Sequence, residues 1–75
     1  MNVQTIGENA GIVWSLLHGE NRKWEYSELK AAAGMSDRDL NAAIGWLARE
    51  DKVYFETMQD SGKEYLYLTM NYYIG

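Results

Sequence analysis

The sequence predicts an α+β domain in which three helices are followed by a β-hairpin. Two observations carry this expectation. Apolar residues recur at spacings of three and four as far as Ala48, and from Lys52 onward they alternate as in a strand. Gly19, Gly34 and the pair Ser61-Gly62 fall between the periodic segments, where chain reversals belong. At 75 residues the chain is long enough for one domain, spanning 1–75, and no composition shift or Pro-rich linker divides it.

The first helix is expected to begin at Thr5. Thr5-Ile6-Gly7-Glu8 has the form of a capping box, in which the Thr hydroxyl and the Glu carboxylate each accept from the other's backbone amide. Ile6, Ala10, Val13, Leu16 and Leu17 then form an apolar stripe beside Trp14, ending at His18-Gly19. Glu20-Asn21-Arg22 reads as a loop and Lys23–Tyr26 as a very short strand. Ser27 is the expected N-cap of a second helix, with Glu28 in its first turn and Leu29, Ala32 and Ala33 on its apolar face. Gly34 ends it. Ser36 caps a third helix running to about Glu50, with Leu40, Ala43, Ile44, Leu47 and Ala48 on one side. Residues 52–57 and 64–70 alternate as two strands, and Gln59-Asp60-Ser61-Gly62 supplies the turn between them.

Composition narrows the function. There is no Cys, which excludes disulfides and thiolate metal sites, and the single His18 leaves no His cluster for a metal. No cofactor is therefore expected. The formal charge of −4 has the wrong sign for a protein that gains its affinity by neutralising phosphates. No apolar run approaches the roughly 20 residues of a membrane span. The first twenty residues hold no Lys or Arg, unlike a secretory leader, so a cytoplasmic protein is expected. Three Trp, six Tyr and one Phe exceed what so small a core can enclose, and an aromatic contact surface follows.

The short helix, the turn Gly34-Met35-Ser36, the longer amphipathic helix and the hairpin after it together resemble the winged helix-turn-helix superfamily. Leu29, Gly34, Met35, Leu40, Ala43, Ile44, Leu47 and Val53 occupy its usual apolar and turn positions. The chain as a whole is similar to a small bacterial winged-helix family of unassigned function. The resemblance implies three helices, a C-terminal hairpin wing and a short strand between helices 1 and 2.

In DNA-binding members the third helix enters the major groove and the wing touches the backbone. Carried over by position, this makes Arg38, Asn41 and Lys63 the candidate DNA contacts, with Arg38 suited to guanine and Asn41 to adenine. Asp37 and Asp39 flank Arg38, and the wing tip balances Asp60 against Lys63, so solvated surface residues are the plainer reading. Gly45, costly inside a helix, either lets another molecule's backbone approach or gives room to a large ring of the same chain. Trp14 and Trp46 are expected in the core, with Trp24 on the surface. Tyr54, Tyr65 and Tyr67 on the hairpin, with Tyr72 and Tyr73 in the tail, are the candidate protein contacts; cross-strand packing within the domain is the alternative.

Catalysis finds little support. Ser27, Ser36 and Ser61 are accounted for by caps and a turn, and no phosphate loop or dinucleotide glycine pattern occurs. The expected function is a non-enzymatic protein-interaction module, a homodimer or the partner of another protein, with no membrane and no small-molecule substrate. The alternative is a small DNA-binding transcriptional regulator that uses helix 36–50 and the wing.

Overall fold

A computed structural model describes residues 1–69. Three helices, α1 (Val3–Gly19), α2 (Tyr26–Ala33) and α3 (Asp37–Arg49), pack on one face of a sheet built from β1 (Trp24–Glu25), β2 (Val53–Thr57) and β3 (Glu64–Leu68). The strand order is β1-β3-β2, both pairings being antiparallel. This is the α+β arrangement expected.

Two helix starts differ from the expectation. α1 begins a turn earlier, capped by Asn2, whose side chain accepts from the Thr5 amide at 2.8 Å. Thr5 is thus inside the first turn, and Glu8 instead accepts from the Gln4 side-chain amide at 3.1 Å. α2 is capped by Glu25, whose carboxylate accepts from the Ser27 amide at 3.0 Å. In both cases a side chain preceding the expected cap satisfies the open amides first. Gly19 falls within α1, and Glu20 is its C-cap. Ser36 caps α3 as expected, accepting from the Asp39 amide at 3.2 Å.

The helix ends have local causes too. Gly34 closes α2 in the left-handed region at φ 65°, where a side chain would be strained. α3 ends in a Schellman arrangement: the Lys52 amide donates to the Leu47 carbonyl at 2.9 Å and the Asp51 amide to the Ala48 carbonyl at 3.0 Å. The left-handed position falls to Asp51, at φ 59°. Asp tolerates that region better than most residues.

The core lies where α1, α3 and the sheet meet. Ala10, Val13 and Leu17 face Leu40, Ala43, Ile44 and Leu47, and Val53, Leu66 and Leu68 close the sheet side. Leu29 of α2 is fully buried among them. Trp24 is buried at 5% exposure, whereas Trp14 is half-buried and Trp46 exposed at 36%. The assignment of the tryptophans is thus reversed for two of the three. Trp24 lies on β1 opposite Leu66, on the side of the sheet facing the helices, and its indole N–H donates to the Glu20 carbonyl at 2.9 Å. Trp46 is one residue before Leu47 and so points about 100° away from the buried stripe.

Candidate interaction surfaces

Three surfaces hold the residues singled out by sequence. The first is the outward face of α3. Arg38 is exposed there, as expected. Asn41 is engaged within the domain: the Tyr26 hydroxyl lies 3.0 Å from its Oδ1 and 2.9 Å from Asp37 Oδ1. Lys30 completes the cluster with Nζ 3.3 Å from Asp37 Oδ2. The Tyr26 hydroxyl and then Lys30 hold the Asp37 carboxyl below its usual range, while burial and then Asp37 raise the Tyr26 phenol. A bidentate contact to adenine needs both the oxygen and the nitrogen of the Asn amide. For Asn41 that oxygen is already engaged by Tyr26, so an adenine contact has to share it.

Arg49, on the same helix face as Gly45, was not among the candidate DNA contacts. Positions 38, 42, 45 and 49 fall at spacings of four, three and four, so Arg38, Ala42, Gly45 and Arg49 form one stripe. The two arginines are about 16 Å apart along the axis. Among the described residues neither forms an ion pair, and nor does Lys63 on the wing. The other four cations are all paired. Arg22 is held by Glu28 at 2.9 Å and Glu20 at 3.1 Å, with its guanidinium 4.2 Å from the centre of the Trp24 ring. Glu28, then Glu20, raise its already high pKa.

Gly45 resolves one alternative. A Cβ built there meets nothing within 4 Å, so no ring among the described residues uses the space. Gly45→Ala is therefore expected to stabilise the free domain by about 0.5–1 kcal/mol. Denaturant unfolding checks this, and a destabilised variant would mean that the helix itself needs the glycine.

The second surface is the outer face of the sheet, turned away from the helices. Tyr54 is paired with Tyr67 and Glu56 with Tyr65 in the β2–β3 register. Tyr54, Tyr65 and Tyr67 therefore share a face, as expected, and the Tyr54 and Tyr67 rings meet at 5.8 Å between centroids. Lys23 crosses this face, with its ammonium 5.3 Å from the centre of the Tyr67 ring and 3.0 Å from Glu56 Oε1. Tyr65 and Tyr67 are half-buried by these neighbours and Tyr54 is 45% exposed. Tyr72 and Tyr73 lie outside the described residues.

The wing adds two residues that sequence reasoning passed over. Phe55 pairs with the buried Leu66 on the helix side of the sheet, yet is 45% exposed. Met58, next along the chain after β2, is 40% exposed. Tyr54, Phe55 and Met58 thus present apolar surface at the sheet's β2 edge. The wing turn is closed by the Met58 amide donating to the Lys63 carbonyl at 2.8 Å and the Gly62 amide donating to the Met58 carbonyl at 2.7 Å. Lys63 is exposed beyond it.

The third surface is a hollow of about 440 Å³ between α1 and α3, walled by Trp14 and Trp46 over Gly7 and Gly11, with the Lys52–Glu50 pair (3.5 Å) at its end. A Cβ at Gly7 would lie 3.6 Å from the Trp46 ring, an ordinary van der Waals contact, so the indole lies against α1 at this point. Trp14 in turn stacks on His18, with centroids 4.6 Å apart. No group of three or more His, Asp or Glu among the described residues is placed to hold a metal. None of the helices among them is long and apolar enough to cross a membrane.

Two comparisons with known proteins bear on this architecture. The family described as "Winged helix-turn-helix domain (DUF2582)" matches residues 1–68, from the start of the chain to the end of β3. The chain is also similar to the uncharacterized protein MJ1608 of Methanocaldococcus jannaschii, with 40% identity over 50 residues covering 65% of this chain and 71% of that protein. That relative is archaeal, so the likeness is not confined to bacteria. With three helices, an antiparallel sheet ending in a hairpin wing, and a family match across 68 residues, the chain belongs to this winged helix-turn-helix family.

Proposed function

We propose that this chain is a non-enzymatic winged-helix interaction module of the cytoplasm that self-associates through the wing side of its sheet. The observation that carries the proposal is the exposure of Tyr54 on the outer face and Phe55 on the helix side of β2, with Met58 just beyond it, along one edge of a domain whose core is apolar. A fold of this size rarely leaves such a patch uncovered without a contact to make there. The lack of Cys fits a reducing compartment. Sedimentation velocity from about 10 µM to 1 mM should show reversible association. It should persist when salt is raised from about 0.05 to 0.5 M, because apolar burial is not screened. Association that vanishes with salt would assign the contact to charges and refute the reading.

A specific observation favours DNA as the second reading. The Arg38–Ala42–Gly45–Arg49 stripe is basic, unpaired and open at its centre. Its cations and Lys63 number three, so affinity for duplex DNA should fall with a log–log salt slope near −2.7. This is a shallow dependence for a specific DNA reader, and the net charge of −4 opposes it further.

A further inference from the structure

β2 is an edge strand, with no further strand on its outer side among the described residues. Sheet edges in soluble proteins are commonly blunted by Pro, by Lys, by a bulge or by a covering element. Val53-Tyr54-Phe55-Glu56-Thr57 has no Pro and no Lys, and it runs in unbroken register with β3.

The hydrogen bonding settles which backbone groups face outward. The Lys52 carbonyl accepts from the Thr69 amide at 3.1 Å, and the Met58 amide donates to the Lys63 carbonyl. Both ends of the ladder thus turn the even-numbered residues toward β3. Alternate residues in an antiparallel strand face opposite ways. The N–H and C=O groups of Val53, Phe55 and Thr57 therefore point away from the domain.

We propose that two copies of this chain pair antiparallel along β2, with Phe55 on the twofold axis, to form one continuous six-stranded sheet. This rests on the self-association reading and specifies its seam. In that register Phe55 meets Phe55 of the second copy and Val53 meets Thr57, so every outward N–H and C=O of the strand is used. On the outer face Tyr54 meets Glu56, and beyond the strand Lys52 meets Met58, so no like charges oppose. The position of Phe55 gives an independent reason. It belongs to the helix side of the sheet, but the helices leave it 45% uncovered. They consequently do not overhang the edge, and the ring is free to complete its burial against its counterpart, as cross-strand aromatic pairs do. A five-residue seam with three apolar side chains a side is smaller than the roughly 1,200 Å² of a stable interface, so the dimer is weak and reversible.

The test uses the whole chain with two substitutions. Thr57→Pro removes an amide that the single domain does not use, and Pro is tolerated at such edge positions. Phe55→Lys sets two cations against each other on the axis. Each should weaken association at least tenfold by sedimentation, with the helical circular dichroism unchanged. In the wild type, hydrogen exchange at the Phe55 and Thr57 amides should slow as concentration rises, while Tyr54 and Glu56 stay protected throughout. Association that survives both substitutions overturns the seam but leaves self-association standing. Absence of any association up to about 1 mM overturns both. If either variant unfolds, the exchange pattern of the wild type decides alone: uniform protection changes, or none at Phe55 and Thr57, reject the pairing.

Discussion

Trp24→Ala is expected to destabilise the domain by about 3–5 kcal/mol, the range for removing a large ring from a core. A chain this small has stability near the low end of the usual ~5–15 kcal/mol, most of which would be lost. Trp24 links three parts of the fold. Its ring is buried at 5% exposure between sheet and helices, its N–H holds the Glu20 carbonyl at the end of α1, and Arg22 lies over its face. Trp24→Phe separates the contributions, keeping much of the apolar volume while leaving the Glu20 carbonyl without its donor. It should cost about 1–3 kcal/mol. Urea unfolding followed by circular dichroism measures both. A loss below about 1 kcal/mol for Trp24→Ala would mean that the ring is not a core element.

Leu40→Ala is expected to cost about 2–5 kcal/mol, from lost transfer energy and the cavity left behind. Leu40 is fully buried on the face of α3 that packs against α1, in a stripe with Ala43, Ile44 and Leu47. The small Ala43 beside it cannot reach into the gap. Ile12 on α1 provides the contrast. It is equally apolar but 48% exposed, so Ile12→Ala should change stability by no more than about 0.5 kcal/mol. Comparable losses at the two positions would contradict the packing of α1 on α3.

Much of the fold is legible in the sequence because its helices are amphipathic at local spacing. Leu40, Ala43, Ile44 and Leu47 identify the buried face of α3 without any knowledge of its partners. The hairpin follows from alternation and a Gly-containing turn in the same local way. Trp24 shows where local reasoning fails. Its burial depends on β1 pairing with β3, and nothing near Trp24 in sequence announces a partner at Leu66. A two-residue strand is also too short to show alternation. Trp46, by contrast, was open to correct reading, since it falls outside the stripe that defines the core of α3.

The candidate contacts divide in the same manner. The shared face of Tyr54, Tyr65 and Tyr67 follows from strand parity, and the structure places the three there. The engagement of Asn41 by Tyr26 joins α3 to the start of α2 and cannot be read from either segment alone. Phe55 was hidden for a different reason. Alternation assigns it to the inner face, and only the extent of the helical layer shows that this face runs past its cover.

The pairing of Trp24 with Leu66 also shapes how the domain forms. It encloses α2, α3 and most of the wing in a single loop, whose closure costs entropy that local helix contacts do not repay. β1 is therefore expected to join the sheet after the segments it encloses have organised, which low φ-values for substitutions at Trp24 would check. Interactions formed so late are absent from the folding transition state and act mainly on the rate of unfolding. On that expectation the buried indole that ties the end of α1 to the sheet acts as a latch on the finished domain, and its loss should speed unfolding more than it slows folding.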